Sequence, residues 1–113
     1  MSAKQKEENG KICPLFHRAV EVVGRRWSGA ILRILMEGPS RFCELRDAIP
    51  DLSDRLLSER LKELEELGLV SREVADDRPV VVTYRLTASG LALRPALDAL
   101  GEWAEKHLPR DAV

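Results

Sequence analysis

Only two cysteines, Cys13 and Cys43, occur in 113 residues. That is far below the density of a secreted disulfide scaffold and points to a reducing cytoplasm. No apolar run approaches the ~20 residues that a membrane helix needs. Residues 1–11 are polar and charged without an apolar segment, so they read as a flexible arm and not as a signal peptide or an anchor. A glycine-rich phosphate loop, a nucleophile elbow and paired carboxylates in an evident cleft are all missing, which argues against an enzyme. Cys13 and His17 form the nearest thing to a catalytic pair, and they lack a third group to orient the base. Nor is there a compact four-ligand spacing for a metal, and no cofactor is expected.

An excess of one charge is missing too. The net charge is −1, which is no signature of a nucleic-acid binder, but its distribution is uneven. Residues 11–62 carry ten Lys and Arg against seven Asp and Glu, whereas residues 63–113 carry six against ten. A basic front half and an acidic back half imply one surface for phosphate and another for a different purpose. With 44% hydrophobic and 33% charged residues, the chain is a globular protein and not a disordered one, and its length suits one domain, residues 12–113, behind the arm.

The most informative stretch is residues 53–68. Ser53 is placed to cap a helix, Asp54 puts negative charge at its positive end, and Gly68 closes it. At about 100° per residue, Leu56, Leu57, Leu61, Leu64 and Leu67 share one arc while Arg55, Ser58, Glu59, Lys62 and Glu66 lie opposite. A shorter helix over residues 41–49, with Phe42, Leu45 and Ile49 on one face and Ser40 as its cap, precedes it across Pro50-Asp51-Leu52. Two helices across so tight a turn fit a helix-turn-helix. Residues 69–74 and 80–86 are β-branched runs around a turn-rich gap and predict a hairpin. The order is that of a winged helix-turn-helix: mainly α, a small β-hairpin wing, and a three-helical core.

Further helices are predicted on either side. Cys13-Pro14 opens one that runs to Gly24, since proline suits the first helical position. A second spans about residues 27–37 and stops at Gly38-Pro39. Thr87 caps a last helical region, which should bend or restart at Pro95. The two terminal helices, with Leu15, Phe16, Ala19 and Val20 in one and Leu97, Leu100 and Trp103 in the other, carry more apolar surface than a small winged core covers. The expected use is dimerisation about a two-fold axis; the alternative is that both ends fold back on their own core.

These residues resemble the HxlR-type winged helix-turn-helix transcriptional regulators of bacteria and archaea. The likeness runs from Cys13-Pro14 through Trp27, Ile31-Leu32 and Leu35, then Gly38-Pro39, Arg41-Phe42, Glu44-Leu45-Arg46, Ile49-Pro50 and Ser53-Asp54-Arg55. It continues in Leu57-Ser58-Glu59-Arg60-Leu61-Lys62-Glu63-Leu64, Gly68-Leu69-Val70, Tyr84-Arg85-Leu86-Thr87, Gly90, Pro95 and Trp103. The resemblance implies a cytoplasmic DNA-binding homodimer that controls nearby promoters, often in response to oxidants, electrophiles or small molecules. The chain departs from the family pattern at Asp51, where glycine is common, at Val81, a wing position that is frequently basic, and at Cys43, commonly serine.

In a helix-turn-helix the second helix enters the major groove. Arg55 is the leading base contact because a guanidinium bonds two acceptors on guanine at once, and Glu59 can accept from a cytosine amine beside Ser58. Ser53 belongs to the same helix start. Lys62 is expected on phosphate, as is Arg41 at a helix N-terminus, and Arg78 at the wing tip is expected on phosphate or in the minor groove. Arg25 and Arg26 are weaker candidates. Arg60 falls inside the leucine arc, so its stem either packs on the core with its head paired to a carboxylate or anchors a phosphate. Cys13 is a candidate sensor of oxidants or electrophiles, because a helix N-terminus favours a thiolate and His17 lies one turn on. The competing reading is a winged-helix module that binds protein and never DNA.

Overall fold

The computed structural model describes residues 13–76 and 78–112, so the arm expected over residues 1–11 lies outside the described residues. Helix α1 spans Pro14–Val23 and α2 spans Ser28–Met36. A two-residue strand β1, Ser40–Arg41, leads into α3, Phe42–Ala48, and a short turn leads to α4, Asp54–Glu66. Strands β2, Val70–Ala75, and β3, Val81–Leu86, follow, then a single turn α5, Ala88–Leu91, and α6, Arg94–His107. A 3-10 turn covers Arg110–Ala112.

The core forms where α2, α3 and α4 turn their apolar stripes inward. Ile31, Leu32, Leu45, Leu57, Leu61 and Leu64 are essentially closed to solvent, and Val70, Leu86 and Leu97 seal the edges from the sheet and α6. The ends of α4 follow from its sequence. The Leu56 N–H donates to Ser53 Oγ at 3.1 Å, satisfying a first-turn donor. At the other end Gly68 has φ 78°, and the N–H groups of Gly68 and Leu69 reach back to the carbonyls of Glu65 and Leu64 at 3.0 Å. This Schellman closure needs a residue without a Cβ. Ser53→Ala is expected to cost about 1 kcal/mol, measured as a lower midpoint of thermal unfolding of the free protein; an unchanged midpoint would show that the cap contributes nothing.

Two local expectations are corrected. Ser40 is not the cap of α3, because it is engaged in β1, where it pairs with Tyr84 and Arg41 pairs with Thr83. Arg41 is the N-cap, and its N–H donates to the Glu44 carboxylate at 2.7 Å. The expected β2–β3 hairpin is present, and β1 adds a third strand to it, giving an antiparallel sheet in the order β1-β3-β2. Trp27 stands before α2 instead of inside it, with φ 75°, the one positive φ outside glycine among the described residues. Asp51 needs no such angle; its turn is closed by the Leu52 N–H on the Ile49 carbonyl at 3.0 Å.

The restart at Pro95 occurs as the ring chemistry requires. Thr87 accepts from the Gly90 N–H at 3.1 Å and caps α5, and α6 then begins with Pro95 at its second position. Gly90 sits against the Leu69 carbonyl so closely that a Cβ there would collide with it. Arg94 donates to the Met36 carbonyl at 2.9 Å and Arg33 to Asp98 at 2.6 Å, fastening α6 across α2.

Candidate DNA-binding surface

With its leucines inward, α4 turns Arg55, Ser58, Glu59 and Lys62 to solvent. The Arg55 side chain is 91% exposed and its Nε lies 3.5 Å from Glu59 Oε1, one turn on. An exposed pair of this kind holds its partners together only weakly, so the guanidinium can exchange Glu59 for a base edge at little cost. Ser53 is exposed at the start of the same helix, where its hydroxyl oxygen already serves as the cap.

The strand β1 decides where Arg41 goes. Because Arg41 is both paired to β3 and the N-cap of α3, one exposed cation sits where the sheet meets the helix-turn-helix. Arg78 is exposed in the connection between β2 and β3. Arg46, which sequence reasoning passed over, lies on the exposed side of α3 with Nη1 3.8 Å from Asp54 at the first turn of α4. Its position one residue after the buried Leu45, and so on the outer face of α3, was the available signal. On the wing, Arg85 is paired with Glu73 at 3.0 Å.

Arg60 is separated from these residues. Its side chain is 11% exposed, its Nε donates to the Arg26 carbonyl at 2.9 Å and its Nη1 to Glu63 Oε1 at 3.1 Å. The phosphate-anchor reading of Arg60 is therefore corrected: the head is turned inward and both of its directional partners are protein atoms. Arg25 is likewise engaged, at 3.1 Å from Glu63, and the Arg26 guanidinium lies 5.3 Å from the centre of the Trp27 ring.

Two features stand apart from α4. Helix α1 buries none of its residues in the chain, leaving Leu15, Phe16 and Val20 at 74%, 62% and 48% exposure. Leu100, Trp103 and Leu108 are similarly bare on and just beyond α6. The alternative that both ends fold back on their own core does not hold for α1. Cys13, at the N-cap of α1, is buried and Cys43 is exposed; both are free thiols.

An HxlR-like helix-turn-helix family model matches residues 22–112. The chain belongs to the HxlR-like helix-turn-helix family. Its similarity to the HTH-type transcriptional regulator YodB of Bacillus subtilis is 42% identity over 90% of the chain and 92% of that protein. The uncharacterized HTH-type regulator YvaP of the same organism is 46% identical over 87% of the chain and 91% of its own length. The reduced form of YodB superposes with a TM-score of 0.81 at 41% identity, covering 87% of this chain and 96% of that one. Diamide-treated and quinone-bound forms of YodB are also structurally similar, each with a TM-score of 0.75. So is the redox regulator HypR in its oxidized form, with a TM-score of 0.78 at 35% identity over 86% of this chain and 99% of that one. An HxlR-like chain with this fold is a DNA-binding transcriptional regulator and not an enzyme. No helix among the described residues is long and apolar enough to cross a membrane.

Proposed function

We propose that the protein acts in the cytoplasm as a homodimer on a near-palindromic operator, placing one α4 in the major groove of each half-site. The observation that carries this is the outer face of α4: Arg55 almost wholly in solvent beside Ser58, Glu59 and Lys62, over a face of buried leucines. Arg55, Ser58 and Glu59 meet base edges. Arg41, Arg46, Lys62 and Arg78 meet phosphate, and Ser53 orients the helix start. Half-sites one helical turn apart, about 34–36 Å, would match two such helices.

The dimer is supported by the bare apolar faces of α1 and α6, which together exceed the scattered exposure ordinary for a monomer. A mostly apolar gap of about 200 Å³ lined by Ala19, Val22, Val23, Leu67, Leu69 and Leu93 lies beside α1 and offers room for a partner's side chain.

Cys13 is the proposed sensing thiol. Its support is its position at the start of the helix assigned to the dimer, together with the oxidant- and quinone-treated states known for similar proteins. Diamide would join Cys13 of one copy to Cys13 of the other as a disulfide, the two thiols losing two protons and two electrons to the reagent's N=N bond. The experiment is a footprint on promoter DNA flanking the protein's own gene, with reduced and diamide-treated protein. The expected result is a symmetric footprint that changes on treatment, with the change abolished in Cys13→Ser and retained in Cys43→Ser. No protection by reduced protein at low ionic strength would remove the operator reading; the same response in Cys13→Ser would remove the sensing thiol.

A further inference from the structure

The buried side of α4 carries a polar feature that DNA reading does not use. Arg60 lies among leucines, yet its guanidinium makes two directional bonds, to the Arg26 carbonyl and to Glu63 Oε1. The same Glu63 oxygen also accepts from Arg25 Nε at 3.1 Å. Arg25 and Arg26 form the corner between α1 and α2. The next residue, Trp27, is held in the left-handed region, which a bulky side chain occupies only where its surroundings fix it. The Ser28 N–H closes the corner on the Arg25 carbonyl at 3.0 Å.

A charged head held largely out of water, with only 11% of its side chain exposed, is a poor source of stability, since a well-packed apolar side chain of similar volume commonly does as well. What a guanidinium adds is direction. Its rigid fork bonds at set angles: the bond to Glu63 within α4 holds the fork in place, and two bonds cross to the corner, Arg60 to the Arg26 carbonyl and Arg25 to Glu63, which together limit how α4 rotates and slides.

We infer that Arg60, with Glu63 and Arg25, is a positioning clamp. It hooks α4 to the α1–α2 corner and sets the rotation at which Arg55, Ser58 and Glu59 are presented to a duplex, without itself touching DNA. The inference rests on the reading of α4 as the recognition helix. Non-specific binding, which depends on charge near phosphate, tolerates a small rotation of α4; base readout does not.

The test compares wild type, Arg60→Met and Glu63→Gln, each confirmed as folded by circular dichroism and held well below its unfolding temperature. Affinity for the footprinted operator and for a random duplex of equal length is measured across a salt series. The ratio of the two affinities is expected to fall about tenfold in Arg60→Met and by a smaller factor in Glu63→Gln. The slope of log affinity against log salt should stay at the wild-type value. A phosphate anchor would instead flatten that slope by about 0.9. A purely structural role would lower both affinities together through the folded fraction and leave their ratio unchanged. Either outcome overturns the clamp, as does an unchanged ratio in both variants. Should Arg60→Met fail to fold, Glu63→Gln carries the test alone, because it alters a partly exposed carboxylate without changing its shape. Wild type that fails to discriminate operator from random duplex would overturn the recognition-helix reading and the clamp with it, and this is seen before any variant is compared.

Discussion

Phe16→Glu is expected to give a folded monomer that has lost most of its operator affinity. In the single chain Phe16 is 62% exposed and packs on nothing that the core needs, so the fold itself should lose little. In a two-fold assembly the same position recurs in both copies, and each substitution both removes the burial of an aromatic ring, about 1.5–3 kcal/mol, and forces a carboxylate against apolar surface. Operator binding by a dimer gains from the second half-site being engaged within one complex, an advantage of about 10²–10⁴. Losing the dimer should cost an effect of that order. Sedimentation equilibrium gives the mass and a titration with labelled operator gives the affinity. A wild-type mass equal to one chain, or a variant that remains dimeric, would show that α1 does not form the interface.

Arg55→Ala should leave the protein as stable as before and damage its discrimination at one base pair in each half-site. The pair with Glu59 spans 3.5 Å in a largely exposed setting and contributes little to folding. In a groove the guanidinium makes two parallel bonds to one base, worth about 1–3 kcal/mol of discrimination. Binding to a set of operators altered one position at a time should show wild type rejecting substitutions at one position that the variant accepts. The variant's salt dependence should be nearly that of wild type, because no phosphate contact is removed. Equal affinity and equal discrimination in both proteins would mean that α4 does not dock by this face.

The leucine arc of residues 53–68 was legible, except for Leu67, which falls at the C-cap and is 43% exposed, because helical periodicity, a serine cap and a glycine stop all agree there, and each depends only on neighbours within a few residues. The break at Pro95 was legible for the same reason. Ser40 misled because Ser-before-helix is a local signal, and a strand pairing with Tyr84, 44 positions along the chain, overrode it. Arg60 could be placed on the leucine side by arithmetic, and a carboxylate partner for its head was one of the two readings the sequence offered, but its second partner was not legible. The Arg26 carbonyl is 34 residues away in sequence, at a corner whose shape depends on the unusual backbone of Trp27. Arg46 was passed over because its relation to Asp54 exists only once α3 and α4 are folded against each other.

The amino-acid order alone determined the succession of helices and strands, the side of α4 that faces outward, and the family to which the chain is similar, since all of these are set by spacing, caps and breakers. The tertiary structure decided which cations remain free. Whether an arginine meets solvent or a carbonyl depends on elements brought together from distant parts of the chain, and no periodicity encodes that. It therefore left Arg55 bare, turned Arg60 inward to hold the helix, joined Arg41 to the sheet through β1, and exposed the apolar face of α1 that a second copy is proposed to cover.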